Sequence, residues 1–208
     1  VQSHKRALAA WEAGHFANEV VPIQNDDVTI DRDEGPREPD LEKIQSLGPA
    51  FLEEGTVTAA TSSPISIGAS ALIVCSDEFA AKHGLKVRAT ILSRAIAGVD
   101  WTLMGMGPIP ASEKALERAG LSADDLDAIE LNEAFAAQSL YVLKKTGWPL
   151  EKVNLHGGAI ALGHPLGASG ARILTTLINV LEQHDGKRGL ATMCIGTGQG
   201  IATVIERG

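Results

Sequence analysis

The sequence predicts an α/β layered protein with a mixed sheet, and two observations carry that expectation. Short apolar runs fit for strands alternate with helix-length periodic stretches over residues 86–208. Three short blocks then place a polar group beside small residues where a strand or helix gives way to a loop. They are Asn132-Glu133-Ala134-Phe135, Gly163-His164-Pro165 and Cys194-Ile195-Gly196-Thr197-Gly198. A carboxamide, an imidazole and a thiol are parts of an acyl-transfer site.

The elements follow in order. Gln2 to Ala13 has Ala7, Leu8 and Trp11 at helical spacing, Ser3 as a candidate cap and Gly14 as a stop. Residues 22–55 are acidic and punctuated by proline, so they read as loop, with Leu41, Ile44 and Leu47 predicting a short packed helix. Ala69 to Cys75 is an apolar run expected to be a buried strand, followed by a helix from Asp77 to Lys82 that ends at Gly84. Val87, Ala89 and Ile91 alternate as a strand, and Glu113 to Ala119 is helical up to Gly120. Ser122 to Asp125 has the pattern of a capping box. Ala128 to Leu131 reads as a strand, Glu133 to Lys145 as a helix, and Ser169 to Gln183 as a longer helix. Leu190 to Ile195 and Ile201 to Glu206 finish the chain as a hairpin across a glycine-rich turn.

Bulk properties exclude several classes. The 208 residues suffice to bury a core, and 44% apolar with 21% charged residues is ordinary for a globular protein. A formal charge of −8 argues against general binding to nucleic acid or to a membrane surface. No stretch approaches the roughly 18 to 20 apolar residues of a membrane span. The N-terminus has neither a starting Met nor a signal-like apolar run, so a piece of a cytoplasmic protein is expected. Cys75 and Cys194 are too few for a disulfide scaffold.

Each block has a plain reading and a chemical one. Asn132, between a strand and a helix, reads first as an N-cap and second as a carboxamide that orients a water or a substrate oxygen. His164 is fixed by Pro165 among Gly157, Gly158, Gly163, Gly167 and Gly170, which suits a positioned acid, base or hydrogen-bond donor. His156 reads as structural. Cys194 runs into Gly196-Thr197-Gly198, a turn that gives its sulfur room and offers N–H groups to an oxyanion, with His164 as a base that favours the thiolate. Cys75 reads as a small core hydrophobe.

Together these blocks resemble the thiolases, the acetyl-CoA acetyltransferase and 3-ketoacyl-CoA thiolase family. The resemblance runs through Asn132-Glu133-Ala134-Phe135-Ala136-Ala137-Gln138, through residues 157–170, and through Cys194-Ile195-Gly196-Thr197-Gly198. Asp33-Glu34-Gly35-Pro36-Arg37 and Gly55-Thr56-Val57-Thr58-Ala59 extend it upstream. It implies a layered α/β/α fold with a mixed five-stranded sheet and part of an inserted loop domain. By that resemblance residues 1–65 are the remainder of the loop domain. Residues 66–85 are the last strand and helix of the N-terminal half, and 86–208 are the C-terminal domain.

The resemblance also implies an acyl-CoA C-acyltransferase that cleaves 3-ketoacyl-CoA by thiolysis or condenses acyl-CoA in a Claisen step. Its nucleophilic cysteine would lie in an N-terminal half outside this chain, leaving the chain alone inactive. His164 would activate that thiol and hold the thioester oxygen, and Cys194 would move the α-proton. Asn132 would hold a water at an oxyanion site, and Gly196 would serve a second one. Ser63, Arg37 and Phe51 match loop positions near coenzyme A. Coenzyme A is implied as substrate and product, with no metal or permanent cofactor and with a homo-oligomeric assembly. Alternatives of other classes are a non-catalytic CoA-binding or assembly fragment and a ketoacyl-synthase-type condensing enzyme. The Cys194-x-Gly-x-Gly ending speaks against the latter.

Overall fold

The computed structural model describes all 208 residues. The first part of the chain holds α1 (Gln2–Glu12), the small hairpin β1 (Ile23–Asn25) and β2 (Val28–Ile30), α2 (Leu41–Ser46) and α3 (Asp77–His83). The second part holds β3 (Ala89–Gly98), α4 (Pro108–Ala119), β4 (Ala128–Leu131), α5 (Ala136–Thr146) and α6 (Ala159–Leu162). It closes with α7 (Ser169–Gln183), β5 (Arg188–Cys194) and β6 (Gln199–Arg207). No helix is long and apolar enough to cross a membrane.

The main sheet has the order β3-β6-β5-β4, with β4 parallel to β5 and the other pairs antiparallel. It has four strands, where five were expected, and the reason lies at the outer edge of β4. There Val153 makes a single parallel bridge to Ile129, after which Asn154 turns to a φ of 49°. Its carboxamide accepts from the Leu131 N–H at 2.8 Å and donates to the Leu131 carbonyl at 2.8 Å. One side chain therefore takes the bonds that the peptide of a fifth strand would take.

Strand alternation divides the core into two layers. Ile129 and Leu131 of β4 and Leu190 of β5 pack with Ala111, Ala115 and Leu116 of α4 and Val142 of α5. Ala128, Ala191 and Met193 face the other way, onto Ile173, Leu177, Val180 and Leu181 of α7. The sheet thus lies between α4 and α5 on one side and α7 on the other. Glu130 shares the α7 face with Ala128 and is 2% exposed, a position the sequence did not single out.

Several local expectations change. Ser3 is not a cap: it is buried inside α1, donating to the Gly158 carbonyl and accepting from the Gly158 N–H, both at 3.0 Å. That pair fastens α1 to the glycine-rich segment ahead of His164. Residues 69–75 form no strand, because none of the chain's strands runs beside them to take their N–H and C=O groups. Ile73 and Val74 are consequently 91% and 71% exposed, and Cys75 is exposed rather than buried in a core. Helix α2 buries no residue, so it is not packed as expected. Helix α4 begins at Pro108, earlier than predicted, since proline has no N–H and the first-turn N–H groups of a helix have no carbonyl to meet.

His156 is structural, as read. It is buried, its Nε2 lies 3.0 Å from His15 Nδ1, and burial with the neighbouring His15 and His184 pushes it down to about 4.

Candidate active site

The parallel pairing of β4 with β5 sets Leu131 opposite Thr192, so both strands end at the same edge of the sheet. Asn132 leaves that edge from β4 and Cys194 ends β5 there. This is the edge where open α/β sheets place their ligands. Asn132 is not an N-cap. Helix α5 starts at Ala136 with Phe135 at its cap, and the Asn132 side chain turns instead toward the glycine-rich loop.

That loop carries His164 to the same place. Gly163 has a φ of 93°, and a Cβ there would strike the Ser66 side chain. The imidazole lies half-buried between two polar neighbours. Its Nε2 is 3.3 Å from Asn132 Nδ2, and its Nδ1 is 2.6 Å from the Ser169 hydroxyl at the start of α7. Burial, and then the Arg172 guanidinium, lowers its pKa, so the ring rests neutral at neutral pH. Asn132 Oδ1 is buried and accepts no hydrogen bond from the chain.

Glu133 supports the loop from below. Its carboxylate accepts from the Ile160 N–H at 3.2 Å and from Asn154 Nδ2 at 3.3 Å. It therefore holds the first turn of α6, five residues ahead of His164 in the chain.

Cys194 is buried, and burial pushes its thiol up, so it rests as the neutral S–H. The expected base does not reach it: His164 spends its nitrogens on Asn132 and Ser169, and no hydrogen bond joins it to the sulfur. After Cys194 the chain turns through Gly196, Thr197 and Gly198, at φ of 83°, 43° and 79°. The Gly196 carbonyl accepts from Gln199 N–H, while the exposed Gly196 N–H bonds to no group of the chain. A buried thiol and an exposed one give a direct test. Iodoacetamide is expected to modify Cys75 at the rate of a free thiol and Cys194 roughly tenfold or more slowly. Peptide mapping that finds both modified at one rate would contradict the burial of Cys194.

The loop residues are brought to the neighbourhood unequally. Ser63 is pinned beside Asn132, its N–H and hydroxyl both donating to the Ala134 carbonyl at 3.0 Å and 3.1 Å. Phe51 stands 68% exposed, its ring edge-on to Phe135 at 6.0 Å. Arg37 is exposed; its N–H donates to His4 Nδ1 and its guanidinium only to the Gly35 carbonyl, both at 3.3 Å. An open groove beside the site runs between residues 66–70 and 165–168. Sequence reasoning gave no role to Ser169, Glu130 or Arg172. The one legible signal was that Ser169 falls a helical turn after Pro165, inside the most glycine-rich segment.

Comparison with known proteins identifies the family. Residues 85–207 match the thiolase C-terminal domain and residues 1–78 the thiolase N-terminal domain. The chain is 57% identical over 216 residues to a 3-ketoacyl-CoA thiolase of Acinetobacter baylyi, and 56% identical over 217 residues to one of Chromohalobacter salexigens. All of this chain is covered in both matches, but only 55% of each relative, so it spans about half their length. Among solved structures it is similar to the acetyl-CoA acetyltransferase of Bacillus anthracis, with a TM-score of 0.94 and 42% identity. That match covers 99% of this chain and 53% of the other. The human mitochondrial 3-ketoacyl-CoA thiolase in complex with CoA gives a TM-score of 0.92 at 40% identity, over 100% of this chain and 53% of that one. On these matches, and on the layered fold that carries them, the chain belongs to the thiolase family.

Proposed function

We infer that these residues supply one half of a thiolase site, which transfers an acyl group between coenzyme A and carbon. The observation that carries this reading is the neutral imidazole of His164 held beside Asn132, at the sheet edge where the Cys194 thiol and the turn of Gly196 also lie. The acyl-accepting thiol comes from residues outside these 208, because Cys194 rests protonated and Cys75 lies in the exposed segment 69–75 with no base hydrogen-bonded to it.

In thiolysis the imidazole takes the proton of that thiol, and the thiolate attacks the 3-keto carbon. The carbon–carbon bond breaks, the acyl group stays as a thioester, and the departing enolate takes a proton from Cys194 Sγ–H. The proton held by His164 then passes to the Cys194 thiolate. Coenzyme A enters as a thiol, gives its proton to His164, attacks the thioester and leaves as acyl-CoA, and the released thiolate takes that proton back from His164. Condensation runs the same steps in reverse. Asn132 Oδ1 suits a water that completes one oxyanion site, and the unpaired Gly196 N–H suits a second. A human relative was solved in complex with CoA, which supports coenzyme A as the ligand, and the resemblance assigns it to the loop positions of Ser63, Phe51 and Arg37. Residues 1–65 belong with a loop domain, 66–85 with the first thiolase half and 86–208 with the second. The assembly is a homo-oligomer, as expected of a cytoplasmic thiolase.

The test uses the chain alone and the chain joined to the first half of the Acinetobacter baylyi relative. Acetoacetyl-CoA is expected to be cleaved only by the joined protein. Cleavage by these 208 residues above a blank would sink the reading, as would a folded joined protein that binds CoA without turning over any substrate.

A further inference from the structure

His164 has two nitrogens and, when neutral, one hydrogen between them. Where that hydrogen sits decides whether Nε2 can receive a proton or must donate one. Both neighbours bear on the answer from opposite sides.

On the Nδ1 side stands Ser169, fully buried as the first residue of α7. Its hydroxyl is 3.0 Å from the Pro165 carbonyl, one helical turn back. The same carbonyl receives the N–H groups of Ala168 and Ser169, so it anchors the whole turn. With its hydrogen given to Pro165, the hydroxyl faces Nδ1 at 2.6 Å with a lone pair, and the ring must supply the N–H.

On the Nε2 side stands the Asn132 amide, whose Nδ2 is 3.3 Å away and can only donate. Rotating this amide would set Oδ1 toward the ring and bury the NH2 group instead, with no acceptor for it. A buried bare N–H is rarer and more costly than a buried carbonyl short of one donor. Both ends of the chain therefore place the hydrogen on Nδ1.

We propose that Ser169 is a positioning residue that holds His164 as the Nδ1–H tautomer, leaving the Nε2 lone pair as the base. The inference rests on the reading of His164 as the base that activates a thiol. It also orders two roles that the sequence left side by side. In the resting state Nε2 has no hydrogen and accepts from the Asn132 amide at 3.3 Å, so it displaces that donor when it takes the thiol proton first. Only then does it carry an N–H that can stabilise the thioester oxygen, with Ser169 holding the other N–H of the imidazolium throughout. No proton is lost or gained overall: the one taken from the thiol is the one later donated.

The tautomer is read directly by two-bond ¹H–¹⁵N spectra of the ¹⁵N-histidine-labelled chain, at a pH where the ring is neutral. The His164 signals are assigned by their absence in His164→Gln. The expected pattern is a protonated Nδ1 and an unprotonated Nε2. Ser169→Ala, with amide dispersion showing that the fold is kept, is expected to move the ring toward Nε2–H. Ser169→Thr, which keeps the hydroxyl, is expected to restore Nδ1–H. A wild-type ring protonated on Nε2, or a tautomer unchanged in folded Ser169→Ala, would overturn the proposal. In the joined protein, acylation by acetyl-CoA is expected to fall about 10²-fold in Ser169→Ala, with CoA affinity unchanged, and to recover in Ser169→Thr. If the tautomer moves but acylation does not, the proposal on Ser169 stands and the reading of His164 as the base fails.

Discussion

Replacing Cys194 by alanine in the joined protein is expected to leave the first acyl transfer intact and to stop the carbon–carbon step. The thiol is buried, protonated and unpaired with His164, which fits a group that hands over a proton and not one that attacks a thioester. His164→Ala is expected to impair both stages, since the nucleophile loses its base and the thioester oxygen loses a donor. Losing a positioned acid–base group typically costs about 10²- to 10⁴-fold, and losing an oxyanion donor roughly 10²- to 10³-fold. Intact mass after mixing with labelled acetyl-CoA separates the two variants. Normal condensation by Cys194→Ala, or no acylation of that variant in its folded state, would mean the thiol has another role.

Glu130→Gln is expected to stabilise the chain at neutral pH, in contrast to most substitutions of buried residues. Glu130 lies on the α7 face of β4, and burial raises its pKa to about 8, with Arg172 opposing this and Glu19 and Glu133 adding to it. The unfolded carboxyl ionises near 4.5, so the folded state alone keeps the proton between these values. The stability contributed by this one group is therefore fullest below pH 4.5 and falls as pH rises toward 8, by about 3 kcal/mol at pH 7. A neutral amide removes that loss. For a chain of this size the expected gain in Tm at pH 7 is roughly 6–12 °C, shrinking to nothing near pH 4.5. A difference between wild type and Glu130→Gln that does not change with pH would show that the carboxyl is not held neutral.

Much of the fold was legible because it rests on local rules. Helix α7 runs over Ser169–Gln183 as its periodicity predicts, α3 stops at Gly84 in the left-handed conformation, and Ser122 with Asp125 forms the predicted capping box. β5 and β6 pair across the glycine turn as read. The misreadings came where a residue's neighbours are far away in sequence. Residues 69–75 have the composition of a strand, but a strand exists only beside a partner. Asn132 has the composition of a cap, yet its amide turns to an imidazole 32 residues further on.

By itself the sequence determined the layered class, the ends of most elements and the three polar blocks, because helical period, strand alternation and the backbone freedom of glycine act within a few residues. It also identified the family through the order of those blocks. Tertiary structure alone decided which of these groups work on one another. Parallel pairing of β4 with β5 brings Asn132 and Cys194 to one edge, and Glu133 with Ser3 fastens the loop that delivers His164 there. It also buried Glu130 within the α7 layer and set Ser169 against the imidazole. Protonation and tautomer follow from burial and from the partner at hydrogen-bond distance, and both are properties of the folded chain.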